Sequence, residues 1–175
     1  MRRAFLFATF VAMVAQPVAA AELPPAAACP GSGAANLAPA AEVAAMRCLV
    51  EWVRSSHGLP QLRELAQLDR SSGMRAAAIR RCGQFSHTPC GQGFVQPFVR
   101  VGYLGQSGVV GENLAWGGSA RGSPRATLAA WLRSPEHRAN LLRPGWRDCG
   151  LALARGRIFG NAAVSLWVLQ FGRRG

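Results

Sequence analysis

Lysine is missing from this 175-residue chain, and acids are few: 20 basic residues, all arginine, face 8 carboxylates and 3 histidines, for a formal net charge of +12. Such a field favours anionic partners in general. The arginines are spread along the chain, however, with no basic stripe interleaved with aromatic platforms, so nucleic-acid binding is not expected. Arginine used to the exclusion of lysine reads more simply as a bias of the genome. No two cysteines are spaced as CxxC, which argues against a zinc knuckle. Beyond the N-terminal segment, no stretch approaches the roughly 20 apolar residues a spanning helix needs. No internal repeat is found.

What is present at the N-terminus reads as an export signal. Arg2 and Arg3 give a charged start, Ala4 to Val14 an apolar stretch, and Ala19-Ala20-Ala21 a small-residue exit, so residues 1–21 are expected to be removed. The mature protein is then expected outside the cytoplasm, secreted or periplasmic. The five cysteines suit that compartment. Cys82 and Cys90 could close a small loop, and Cys29 and Cys48 could staple the N-terminal segment to a helix. Cys149 is then left over, and the sequence alone does not fix connectivity.

Residues 22–40 are rich in Ala, Pro and Gly and read as a flexible linker, with the folded domain at 41–175. Pro39 to His57 carries Val43, Met46, Leu49, Val50 and Val53 at helical spacing, stopped by Gly58 and Pro60. Leu59 to Leu62 is a connector. Asp69 is expected to cap a second helix running to Arg81 and stopped by Gly83. Gly91 to Gly111 reads as a long surface loop, and Glu112 to Trp116 as a short extended piece. Ser123-Pro124 and Ser134-Pro135 each open a helix. Gly150 to Ala154 and Ala163 to Phe171 read as a β-hairpin. Helices first and strands later argue for an α+β domain.

Three islands concentrate the chemistry: Phe85-Ser86-His87-Thr88-Pro89-Cys90-Gly91, Gly111-Glu112-Asn113-Leu114-Ala115-Trp116-Gly117, and the run from Trp131 to Leu142. They hold two of the three histidines, His87 and His137, and one of the few acids, Glu112. Two imidazoles and a carboxylate suffice for a metal site or for acid–base chemistry. Each has a plainer alternative. His87 could be a hydrogen-bonded residue of a disulfide loop. Glu112 could accept backbone N–H bonds beside the Gly118 loop. His137, near a helix N-terminus where the dipole favours the neutral ring, could be a packed core histidine. His57 ends the first helix, where a solvated cation is favoured. Trp116 and Trp131 are read as core before cleft, and Arg80-Arg81 as a solvated helix face.

In order and spacing, these islands and the closing Trp167-Val168-Leu169-Gln170-Phe171-Gly172 resemble bacterial secreted CAP-domain proteins. That superfamily takes in cysteine-rich secretory proteins, antigen 5 and class 1 pathogenesis-related proteins. The likeness covers about residues 45–172. It implies an α-β-α sandwich with a central antiparallel sheet and an open cleft lined by His87, Glu112 and His137, which in some members holds a divalent ion. Many members carry a second cleft glutamate where this chain has Ser134, so the implied tetrad is incomplete and zinc binding is expected to be weak. Ser86, Thr88, Ser134 and Asn140 are candidate partners for the imidazoles. The expected function is a binding module for a lipid or cell-envelope ligand, acting as a monomer. The alternatives are a hydrolase using His87, Glu112 and His137 or a bound ion, and a structural envelope protein. Ser86 beside His87 does not make a catalytic pair, since neighbours in sequence lack the required geometry.

Overall fold

The computed structural model describes residues 23–175, so the expected export signal lies outside the described residues. The first long helix, α1 (Pro39–Ser56), starts with proline at its first turn and ends at His57. Its apolar stripe, Met46, Leu49, Val50 and Val53, is fully turned inward. The edge strand β1 (Arg63–Glu64) and α2 (Ala66–Cys82) follow, with Gly83 in the left-handed conformation closing α2 as expected. Asp69 is not the cap of α2. The helix opens three residues earlier, without a side-chain cap. The Asp69 carboxylate instead accepts from Arg47 and from the backbone N–H of Leu151, which ties the helix to the sheet.

The expected long loop is partly structured. It contains a short helix, α3 (Gln96–Arg100), and its end already belongs to β2 (Gly108–Gly118), a strand more than twice as long as the sequence pattern showed. Two helices then follow at the two Ser-Pro signals, α4 (Pro124–Arg133) and α5 (Pro135–Leu141). The Ser123 hydroxyl accepts from the N–H of Ala126, as a helix cap should. The chain closes with the hairpin β3 (Asp148–Ile158) and β4 (Asn161–Arg174), longer at both ends than its alternation suggested.

The sheet order is β1-β3-β4-β2. The three long strands are antiparallel, as expected, while the two-residue β1 adds a parallel edge beside β3. Strand alternation decides the layers. Trp167, Leu169 and Phe171 of β4 point into one cluster with Met46, Leu49 and Val53 of α1 and Leu128 and Trp131 of α4. Val164, Leu166 and Val168 point the other way, onto Ala76 and Ile79 of α2. The result is the α-β-α sandwich, with one side of β2 left as a sheet edge.

Both disulfides form as read, Cys29–Cys48 and Cys82–Cys90. The N-terminal segment is more than a loose linker. Cys29 is buried, Ser32 accepts from the N–H of Arg125, and Glu42 accepts from Leu37 and pairs with Arg155. Cys149 is the free cysteine, buried in the α1 side of the sheet. Loss of hydration, chiefly, pushes its thiol up to about 12. It behaves as a small core residue rather than a nucleophile.

Candidate functional site

The side chains of β2 alternate across the sheet, and this alternation builds the site. Glu112 faces α2 and Asn113 faces α5. Glu112 is fully buried at its side chain, and both of its oxygens are engaged. Oε2 accepts from Arg75 Nε at 3.1 Å and from Gln170 Nε2 at 2.7 Å; Oε1 meets His87 Nδ1 at 2.8 Å. Arg75 is itself buried, and its Nη2 donates to the carbonyl of Phe94 at 2.6 Å. The carboxylate therefore sits between a fixed cation and an imidazole that is half exposed.

That contact sets the tautomer of His87. Against a carboxylate paired with arginine, Nδ1 carries the proton and donates, which leaves the Nε2 lone pair for the cleft. The partner of His87 is thus Glu112, not Ser86 or Thr88, which bond to each other. His137 is pinned in the same way from the other side. Its Nδ1 lies 2.7 Å from the Ser134 hydroxyl. Ser134 stands at the N-cap of α5 without making a cap bond, so its hydroxyl serves the imidazole. Asn113 spans the two halves: it donates to the carbonyl of His137 and accepts from Asn140. His87, Glu112, Asn113, Glu136, His137, Asn140 and Arg143 line one open hollow of about 420 Å³. The structure thus brings His87, Glu112 and His137 together, and leaves His57 at the end of α1, with Nδ1 against the Val53 carbonyl. Trp131 is core and donates to the Leu114 carbonyl, whereas Trp116 is exposed.

Arg75, Gln170 and Arg143 were missed by sequence reasoning. Glu136, two positions after Ser134, is expected from helical geometry to point in a different direction, yet it lines the hollow. Arg75 carried a legible signal. It shares a helical face with Leu68, Ser72 and Ile79, so that face buries a charge that needs a partner.

Burial, first, and the neighbouring His87, second, lower the pKa of His137 from its ordinary 6.5, while Glu136 opposes them. A histidine held neutral by the fold must give up that environment to become charged. Its contribution to stability is present above about pH 6.5 and is lost as the pH falls from there toward the lowered folded value. Denaturant unfolding at pH 7.5 and 5.5 should show a smaller acid loss in His137→Gln than in the parent. Equal losses would assign the acid sensitivity elsewhere.

The donor set does not fit a zinc site built from three or four protein ligands. Glu112 is buried, and both of its oxygens are committed to Arg75, Gln170 and His87. Among the described residues no three His, Cys, Asp or Glu side chains are placed to share an ion. Glu136 also lines the hollow, but among the described residues no carboxylate is placed with the two imidazoles to complete a three-ligand set.

Residues 47–171 match the family model described as the cysteine-rich secretory protein family, CAP. The chain belongs to the CAP family. Solved structures agree on the fold of this CAP domain. An extracellular protein containing an SCP domain from Bacillus anthracis superposes with a TM-score of 0.64 at 22% identity, covering 79% of this chain and 44% of that one. An outer surface protein from Borrelia burgdorferi gives 0.62 at 21%, covering 79% of this chain and 97% of that one. A cysteine-rich secretory protein from Staphylococcus aureus gives 0.60 at 13%, covering 76% and 38%. This CAP domain thus spans less than half the length of the first and third of these proteins. No curated protein is significantly similar in sequence.

Proposed function

We propose that this CAP domain works outside the cytoplasm as a binding module whose His87–His137 cleft takes a polar segment of a cell-envelope polymer. The observation that carries this reading is the anchoring of both imidazoles through Nδ1, which holds two Nε2 atoms toward one open hollow. The walls supply both charges, Glu136 and Arg143, together with the amide of Asn140. Arg143 is steadied by stacking 4.8 Å over Trp146. Such a lining suits hydroxyl, amide and charged groups, whereas an acyl chain wants apolar walls. Two disulfides support an extracytoplasmic location.

Calorimetry with soluble peptidoglycan fragments tests the cleft. His87→Ala and His137→Ala should each weaken binding about tenfold or more, as expected for lost hydrogen bonds at a polar site. Affinity equal to the parent in the double variant would exclude the cleft. Zinc, meeting two imidazoles only, is expected to bind weakly, and either substitution should abolish it.

A hydrolase is the second reading. It is favoured by one observation, the His87–Glu112 contact, since a carboxylate orienting an imidazole is the arrangement of a general base. Among the described residues no hydroxyl or thiol lines the hollow, so water would be the nucleophile. Turnover of an ester, peptide or glycan that is lost in Glu112→Gln, with the domain still folded, would replace the binding reading with this one.

A further inference from the structure

A second surface lies beyond the cleft, where the turn between β3 and β4 meets the end of α2. Arg80, Arg81 and Arg157 line one hollow of about 370 Å³ together with Ala77. All three arginines are exposed. Among the described residues none of them pairs with a carboxylate. Three like charges converge there without compensation, and none of them belongs to the lining of the His87–His137 cleft.

Aromatic rings adjoin this charge. Phe159 forms the turn two residues after Arg157. Its ring stands 5.3 Å from that of Trp116 and 6.1 Å from that of Phe85. Trp116 is 43% exposed and Phe85 47%, so this ring cluster, whose Phe85 and Phe159 follow Arg81 and Arg157 closely in the chain, presents apolar area to solvent. The turn itself is informative. Phe159 and Gly160 both have positive φ, 52° and 77°, the sense of the tight turns that favour Asn-Gly. A bulky ring at the first of these positions is strained. The strain is offset by packing, since the Phe159 ring lies partly buried against the Ile79–Val164 cluster and meets Trp116 at its outer side.

We propose that this surface docks on a bilayer carrying anionic phospholipid, with Arg80, Arg81 and Arg157 meeting headgroup phosphates and Phe85, Trp116 and Phe159 entering the interface. Guanidinium groups suit phosphate through paired hydrogen bonds as well as charge. Amphipathic aromatic rings settle at the level of the headgroups. A soluble polyanion would use the arginines and leave the rings idle, so the rings favour the bilayer. Docking there would hold the cleft close to the envelope.

Flotation of the purified protein with vesicles of phosphatidylcholine, with and without phosphatidylglycerol, tests the surface. Binding is expected to need phosphatidylglycerol. The triple variant Arg80→Ser, Arg81→Ser, Arg157→Ser should lose on the order of 100-fold in affinity, at roughly fivefold per arginine. A control triple, Arg100→Ser, Arg133→Ser, Arg173→Ser, removes the same charge elsewhere and should cost far less. Phe159→Asn with Trp116→Ser should lose roughly tenfold. Asparagine suits the turn, so this loss is not one of hairpin geometry. Equal losses in the two triples would reduce the effect to net charge and overturn the proposal. So would an unchanged affinity in the aromatic double. A soluble polyphosphate that binds as tightly as the vesicles, and is indifferent to the aromatic double, would assign the arginines to a free polyanion instead.

Discussion

Gly150→Ala is expected to cost about 3 kcal/mol or more, while Gly73→Ala, the same change in the helix that faces it, should stabilise by roughly 0.5–1 kcal/mol. Gly150 lies on β3 where α2 crosses the sheet. A Cβ built there falls onto the backbone of Leu68 and Asp69. Backbone cannot swing aside as a side chain can, so the whole helix must lift. Lifting it would strain three attachments: the Ser72 hydroxyl on the Gly150 carbonyl at 3.2 Å, the Asp69 carboxylate on Leu151, and the Ile79 contact with the sheet. A domain of this size holds only about 5–15 kcal/mol in total, so such a loss takes a large share of it. Gly73 lies inside α2 with nothing within 4 Å of a Cβ. Alanine there gains helix propensity and meets nothing. Urea unfolding of the two variants would show midpoints moving in opposite directions. A Gly150→Ala midpoint within error of the parent would mean that α2 is not seated on β3 as closely as described.

The same crossing shows what the sequence could and could not disclose. The stripes of α1 and α2, the two Ser-Pro starts and the alternation of β4 are local patterns, and the helices and strands stand where those patterns put them. Asp69 misled because its local chemistry fits a cap as well as a tie to another element, and only the position of Leu151 decides between them. The extent of β2 was hidden for a related reason. Gly108, Gly111, Gly117 and Gly118 look like loop, yet the strand is held by its ladder with β4 and needs no intrinsic preference of its own. The site was legible as three residues but not as an arrangement. Nothing local says that Glu112 turns toward α2 while Asn113 turns toward α5. Once the strand is placed, alternation requires it. Gln170 was concealed most thoroughly, a polar residue in an apolar run whose partner, Glu112, sits directly opposite it across the ladder.

Arg75→Met should lower stability by about 3–5 kcal/mol at neutral pH, the cost of leaving a buried carboxylate without its cation. Both side chains of the Arg75–Glu112 pair are fully buried. Losing arginine also frees the Phe94 carbonyl and removes a guanidinium lying 5.9 Å over the Phe94 ring. Glu112 would keep Gln170 and His87, which share its charge but do not neutralise it as a fixed cation does. A neutral residue at 112 should therefore relieve much of the damage. Arg75→Met with Glu112→Gln is expected to be more stable than Arg75→Met alone, although Glu112→Gln by itself should destabilise. That reversal is the signature of coupling, and denaturant unfolding of the four proteins measures it as a double-mutant cycle with an interaction energy of about 2 kcal/mol or more. If the two losses simply add, the pair is not coupled, and the anchoring of His87 through Glu112 does not depend on Arg75. If they couple, the cleft imidazole is held by a chain that starts inside α2. Substitutions on the buried face of that helix would then alter ligand binding at His87 without touching the cleft.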